Sequence, residues 1–203
     1  ASGNESFQEL NELATASPCG SKGIFFHPYL MGERSPYWDS DLRGSFTGLS
    51  MRAGREDMSR AVLEGVAYSL KDCYRSLEEM GLTANQGILI GGGAKSDLWC
   101  QIVSDSMSMP LQCPVGADAS YGSALLAGVG IGVFPDCRSA IRQCASNARI
   151  FQPNPEAAEF YSEAYMTYRR IHDALSPVYA QVAQTTIHAL RTEDRHVNRG
   201  ETA

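Results

Sequence analysis

The chain has 203 residues, of which 43% are hydrophobic and 20% charged, and carries a net charge of −6. That suits one domain with a real core, of ordinary globular composition. The negative balance argues against nucleic acid or an anionic membrane as partner, because both need a basic face; no apolar run approaches the roughly eighteen residues of a spanning helix.

The amino terminus, Ala1-Ser2-Gly3-Asn4, is polar and lacks an initiator Met, so a processed chain or a part of something longer is expected. Residues 5–14 read as a short helix with Phe7, Leu10 and Leu13 on one side. A breaker cluster at 17–23 leads to a short strand, Ile24-Phe25-Phe26. From Pro28 to Arg43 there is no period, and an ordered loop of that length tends to carry function. A second strand runs from Ser45 to Leu49.

The strongest helix spans 55–80, where Met58, Val62, Val66, Leu70, Cys73, Leu77 and Met80 form an apolar stripe. Gly81 stands where a left-handed cap would end it. Gly65 costs about 1 kcal/mol against Ala in mid-helix, which points to another backbone passing close by.

An α/β passage follows. Ile88-Leu89-Ile90 reads as a strand buried on both faces, residues 91–96 as a glycine turn, 97–108 as a helix and Leu111 to Cys113 as another strand. The helix near 119–130 is apolar almost all round and is expected to lie buried against the sheet. A short helix near 137–145 precedes a long amphipathic one after Pro155, with Phe160, Tyr161, Ala164, Tyr165, Tyr168 and Ile171 facing in; Pro177 should end or kink it. The domain is drawn as 1–190, and 191–203 as a flexible tail.

Six cysteines (Cys19, Cys73, Cys100, Cys113, Cys137, Cys144) form no CxxC pair, and the four histidines are scattered, so metal-ligand spacing is absent. Cys73 and Cys100 are expected as small buried apolar residues, and the cytoplasm as the compartment.

The candidate site is Gly91-Gly92-Gly93-Ala94-Lys95-Ser96-Asp97. Glycines between a strand and a helix leave no Cβ in a ligand's way, and the helix start offers unpaired N–H groups and a positive dipole end. Ser96 or Asp97 could instead cap the helix, and an ordinary tight connection explains the same residues; both readings stay open. A Walker A loop is excluded, since Ala94 and Leu89 stand where it needs glycines. A dinucleotide fingerprint fails at Ser96, and no acidic residue follows at ribose distance. The aromatic 29–39 loop reads as packed on itself through Tyr37 and Trp38, with Glu33 and Arg34 in solvent. His27, His172, His188 and His196 lack a partner at useful spacing, and Asp57 and Glu64 are assigned to the dipole and surface of the long helix.

The pattern Gly44-Ser45-Phe46-Thr47-Gly48-Leu49, seven residues, then Asp57-Met58-Ser59-Arg60-Ala61-Val62-Leu63-Glu64 resembles a signature of the FGGY carbohydrate kinases. PYLMGERSPYWD upstream is similar to a xylulokinase segment; LIGGGAKSDLWCQIVSD and YGSALLAGVGIGVF resemble the adenosine-binding turn and the buried helix after it.

The resemblance implies an actin-like, ribonuclease H-like ATPase fold of α/β class, here a partial carboxyl-terminal domain of a two-domain kinase that uses ATP and Mg²⁺ on a pentulose or related sugar, with xylulose first. It implies that Gly92, Gly93 and Ala94 pack against the adenosine and α-phosphate, and that Asp97 approaches the adenine, with Gly91, Lys95 and Ser96 completing the site. It also implies that the catalytic Asp and most of the sugar site lie outside this chain, which alone should be inactive. Apolar surface at such an interface predicts self-association, as a homodimer. Two alternatives are a non-catalytic actin-like module and a dinucleotide-dependent oxidoreductase; residues 24–64 argue against the second.

Overall fold

A computed structural model describes residues 3–114, 119–145 and 148–200. Helix α1 (Gly3–Thr15) leads through a 3₁₀ turn at Ser21–Gly23 to strand β1 (Phe25–His27), which pairs antiparallel with β2 (Ser45–Thr47). Helix α2 (Arg55–Glu79) follows, then β3 (Gly87–Ile88), α3 (Asp97–Met107), β4 (Leu111–Pro114), α4 (Ala119–Gly130), α5 (Cys137–Ala145), β5 (Ala148–Phe151) and α6 (Pro155–Gly200). A second sheet has the order β3-β4-β5, with β3 parallel and β5 antiparallel to β4. No helix among the described residues is long and apolar enough to cross a membrane.

Helix α2 is the spine. Glu56 and Asp57 sit in its first turn, and the Asp57 carboxylate accepts from the Gly54 N–H at 2.9 Å, which satisfies one of the free donors there. It ends at Gly81, φ +81°, where the Gly81 and Leu82 N–H groups bond back to Glu78 and Leu77. Gly65 has the reason expected of it: a Cβ there would lie 2.1 Å from the Phe26 carbonyl oxygen, because β1 crosses the helix at that point.

The expected stripe on α2 is not the buried one. Ala61, Gly65, Tyr68 and Asp72 are buried, whereas Met58, Leu77 and Met80 are exposed. The helical period is right but the inward face is rotated from it, because Gly65 lets β1 come close and the α6 tyrosines reach across to Glu64 and Asp72. The core gathers Ala14, Leu63, Ala67, Ile102, Val103 and Leu111 around Tyr68, Tyr161, Tyr165 and Tyr168. The tyrosines of α6 therefore pack as expected, while Phe160 is only partly covered, at 43% exposed.

Three further expectations are corrected. Strand β3 lies at a sheet edge, with Ile88 60% and Ile90 56% exposed; its one neighbour, β4, leaves only Leu89 against the core. Helix α4 forms, but Leu126 is exposed and the helix packs on α5 rather than beneath the sheet, so an all-apolar composition did not bring burial. Of the two effects expected of Pro177, an end to the helix is not found: it lies inside α6, which continues to Gly200. The segment from 191 to 200 is thus helical in backbone, and 201–203 lie outside the described residues.

The loop from Pro28 to Gly44 is anchored on α2 and α6 rather than on itself. Tyr37 stacks on His172 with ring centroids 4.0 Å apart, and its hydroxyl donates to Asp72 at 3.1 Å. Tyr29 and Tyr168 share a hydroxyl hydrogen bond of 3.0 Å. His27 stacks on Tyr168 at 4.1 Å and donates from Nε2 to the Tyr168 carbonyl. Trp38, expected as an anchor, is exposed, and Glu33 accepts from the loop's own Arg34 and Ser35 N–H groups.

Candidate functional site

The predicted site residues are together in one turn between β3 and α3, but they do not all face one way. Gly91 adopts φ +95°, and at both Gly91 and Gly92 an added Cβ would meet nothing within 4 Å. The backbone is open there. Gly93 is different: a Cβ would press into the Trp99 ring at 2.4 Å, so packing alone requires this glycine. Ala94 is buried and turns its side chain to Cys100 and Cys113.

Ser96 settles the capping question. Its Oγ accepts from the Trp99 N–H at 3.1 Å and donates to Asn11 Oδ1 at 2.6 Å. It caps α3 and ties it to α1. Lys95 and Asp97 are exposed, so they are the turn's charged groups available to solvent. Beneath the turn, Cys100 Sγ donates to the Ala94 carbonyl, and Cys113 lies 3.4 Å from it. Burial, with Cys113 beside it, pushes the Cys100 thiol up to about 12, which keeps it protonated and unreactive near neutral pH.

A cavity of about 590 Å³ opens beside this turn, between it and α1. Its walls include Phe7, Asn11, Lys95, Ser96, Asp97 and Arg149. Arg149, on β5, donates from Nη1 to Asp97 Oδ1 and from Nη2 to the Ala94 carbonyl. No sequence pattern marks it, since it lies 52 residues from Asp97 in a strand of four. The arrangement offers an exposed glycine backbone, a helix start and charges of both signs beside one cavity. That suits an anionic ligand with a flat polar end.

A second polar centre lies at the start of α2. Asp57 is fully buried and accepts from Ser17 Oγ and Lys22 Nζ, each at 2.8 Å, besides Gly54. The Lys22 ammonium, then the Gly54 N–H, hold its carboxyl down to about 2. Glu64, expected at the surface, is 2% exposed; it accepts from Gly20 N, Ser21 Oγ, Arg60 Nε and the Tyr161 hydroxyl. These carboxylates tie the 17–23 segment and α6 to α2. Asp72 is a third buried acid; burial pushes its carboxyl up, against the pull of the Tyr165 and Tyr37 hydroxyls and Arg169.

Residues 1–131 match the model of the FGGY family of carbohydrate kinases, C-terminal domain. The chain belongs to the FGGY family of carbohydrate kinases. The matched span includes the Gly44–Glu64 pattern and the whole 91–97 turn. The chain is 36% identical over 184 residues to a xylulose kinase of Staphylococcus epidermidis, covering 90% of this chain and 37% of that protein. It is 32% identical over 182 residues to a gluconokinase of Bacillus subtilis, covering 89% and 36%. In structure it resembles ligand-bound xylulose kinase from Lactobacillus acidophilus, with a TM-score of 0.76 and 31% identity over 86% of this chain and 36% of the other. The chain therefore spans a little over a third of the length of these relatives.

Proposed function

We propose that this chain supplies the nucleotide-binding part of a sugar kinase, in which the γ-phosphate of ATP passes to a hydroxyl of a pentulose or related sugar, with xylulose first. The observation that carries this is the open backbone at Gly91 and Gly92, in the same turn whose Lys95 and Asp97 line a cavity at the start of α3. The exposed glycine backbone takes the adenosine and first phosphate, and the α3 dipole favours the negative charge. Lys95 adds a mobile cation at the rim. Ser96 acts indirectly, by holding the helix start against α1.

Transfer itself depends on positioning and charge stabilisation around both reacting oxygens. Among the described residues no group of three or more His, Cys, Asp or Glu could hold a metal ion. When bound with the nucleotide, Mg²⁺ would supply charge neutralisation at the phosphates. The sugar and the catalytic base are assigned to the parent protein, in keeping with the share of the relatives that this chain spans. Given ATP, Mg²⁺ and a panel of sugars, the 203-residue chain is expected to give no turnover above a blank.

Gly92→Val is the sharpest test of binding. The residue has φ −60° and ψ −41°, which Val adopts, and a Cβ there meets nothing within 4 Å. Stability should stay unchanged while ATP affinity, measured by calorimetry, drops at least about tenfold, since side chain and ligand compete for the same space. Unchanged affinity would remove this turn from the nucleotide site.

A further inference from the structure

We infer that Cys100 and Cys113 are an oxidation site, at which hydrogen peroxide converts a buried thiol pair into a disulfide that pins α3 to β4. The inference needs no bound nucleotide and stands apart from the proposal above. Both residues are 0% exposed, and their sulfurs lie 3.4 Å apart although one comes from a helix and the other from a strand. With Ala94 they form a small cluster of their own, walled by Leu89 and Phe151. Among the described residues no other two cysteine sulfurs come within hydrogen-bond distance of each other.

The direction of the hydrogen bonds sets the order of events. Cys100 has one S–H, which points to the Ala94 carbonyl. The contact between the sulfurs is therefore donated by Cys113, and a lone pair of Cys100 faces it. Peroxide breaks its O–O bond on Cys113, leaving a sulfenic acid and one water. Cys100 then attacks that sulfur: the S–S bond forms, the S–O bond breaks, and the departing hydroxide takes the Cys100 proton as the second water. Two thiols are oxidised and one peroxide is reduced.

Burial keeps Cys100 from meeting outside reagents as a thiolate, and its closeness to Cys113 offsets the weaker nucleophile. A disulfide needs about 2.05 Å between sulfurs, so each side chain moves by roughly 0.7 Å while helix and strand keep their places. Peroxide, little larger than water, enters through brief local openings of the turn above, where a Cβ at Gly91 or Gly92 would meet nothing within 4 Å. Oxidation exchanges the Cys100 hydrogen bond to Ala94 for a covalent bond behind the turn, and leaves that carbonyl to Arg149.

The test treats the folded 203-residue chain with hydrogen peroxide, blocks remaining thiols, and digests it without reductant using a protease that cuts before aspartate. Cys100 then lies on fragment 97–104 and Cys113 on fragment 105–117, each the only cysteine of its fragment. Mass spectrometry should find the two fragments joined in most chains, separable by dithiothreitol, and never joined in C100A or C113A. The urea midpoint of the oxidised chain should rise by about 1 M, because the crosslink restricts the unfolded state. Separate fragments, unmodified or carrying sulfinic acid while exposed Cys137 is oxidised, would overturn the inference and leave two small buried apolar residues in contact. An unchanged or lower midpoint would overturn closure without displacement of α3. Should either variant fail to fold, the unsubstituted chain still decides, since each fragment carries one cysteine.

Discussion

The two faces of α2 obey opposite rules. On the inner face, Asp57, Glu64 and Asp72 are buried acids, each held by hydrogen bonds from segments that fold back onto the helix. On the outer face, Met58, Leu77 and Met80 lie open to solvent, and the same is true of Ile88 and Ile90 on β3 and Leu126 on α4. Burial here follows the availability of partners rather than polarity. A carboxylate with four donors goes inside, while an apolar row with nothing over it stays out.

The contrast is broken most forcefully at Glu64. Glu64→Ala removes the acceptor of four donors and leaves Arg60 buried without its partner, so it should cost roughly 3–5 kcal/mol, read from the urea midpoint. His27 gives a pH signature of the same interior. Burial, ahead of its other neighbours, lowers the folded imidazole from 6.5 to about 4. Above pH 6.5 neither state carries the proton; between 6.5 and about 4 only the unfolded state takes it up, and below that both do. Stability should therefore fall with acid across that window, by about 3 kcal/mol, and His27→Gln should flatten the slope. Below pH 4, Asp57 takes over, its stabilisation being lost as pH drops from 3.8 to about 2.

Smaller changes sharpen the picture. Gly65→Ala forces β1 off the helix and should cost about 1–3 kcal/mol by thermal or urea unfolding. Tyr37→Phe keeps the stack on His172 but takes a donor from buried Asp72, for a loss of about 1 kcal/mol. Leu77→Lys, on the outer face, should change stability by less than about 0.5 kcal/mol. It should, however, reduce self-association in sedimentation velocity; an unchanged oligomer distribution would leave that row without a role in pairing.

What the sequence made legible were features decided within a few residues. Gly81 as a cap and the glycine turn before a helix follow from local sterics; Gly65 betrayed a crossing, though not that β1 makes it, because a mid-helix glycine is costly in itself. Features set by distant partners were not legible. Glu64 bonds to Gly20 across 44 residues, His27 to Tyr168 across 141, and Arg149 to Asp97 across 52, so no spacing announces them. Apolar period gave the helices correctly and burial poorly, because Ile88, Ile90 and the α2 stripe are apolar without being covered. Within the candidate turn, residue types could not say that Ser96 was committed to capping or that Gly93 was committed to Trp99.

The most direct trial is amide hydrogen exchange along the chain with and without millimolar ATP and Mg²⁺. Slower exchange from Gly91 to Trp99, with the β1–β2 hairpin unaffected, is the outcome expected of a nucleotide lying on the open glycine backbone at the head of α3. Identical exchange across that stretch would mean that the turn is only a tight connection between a strand and a helix.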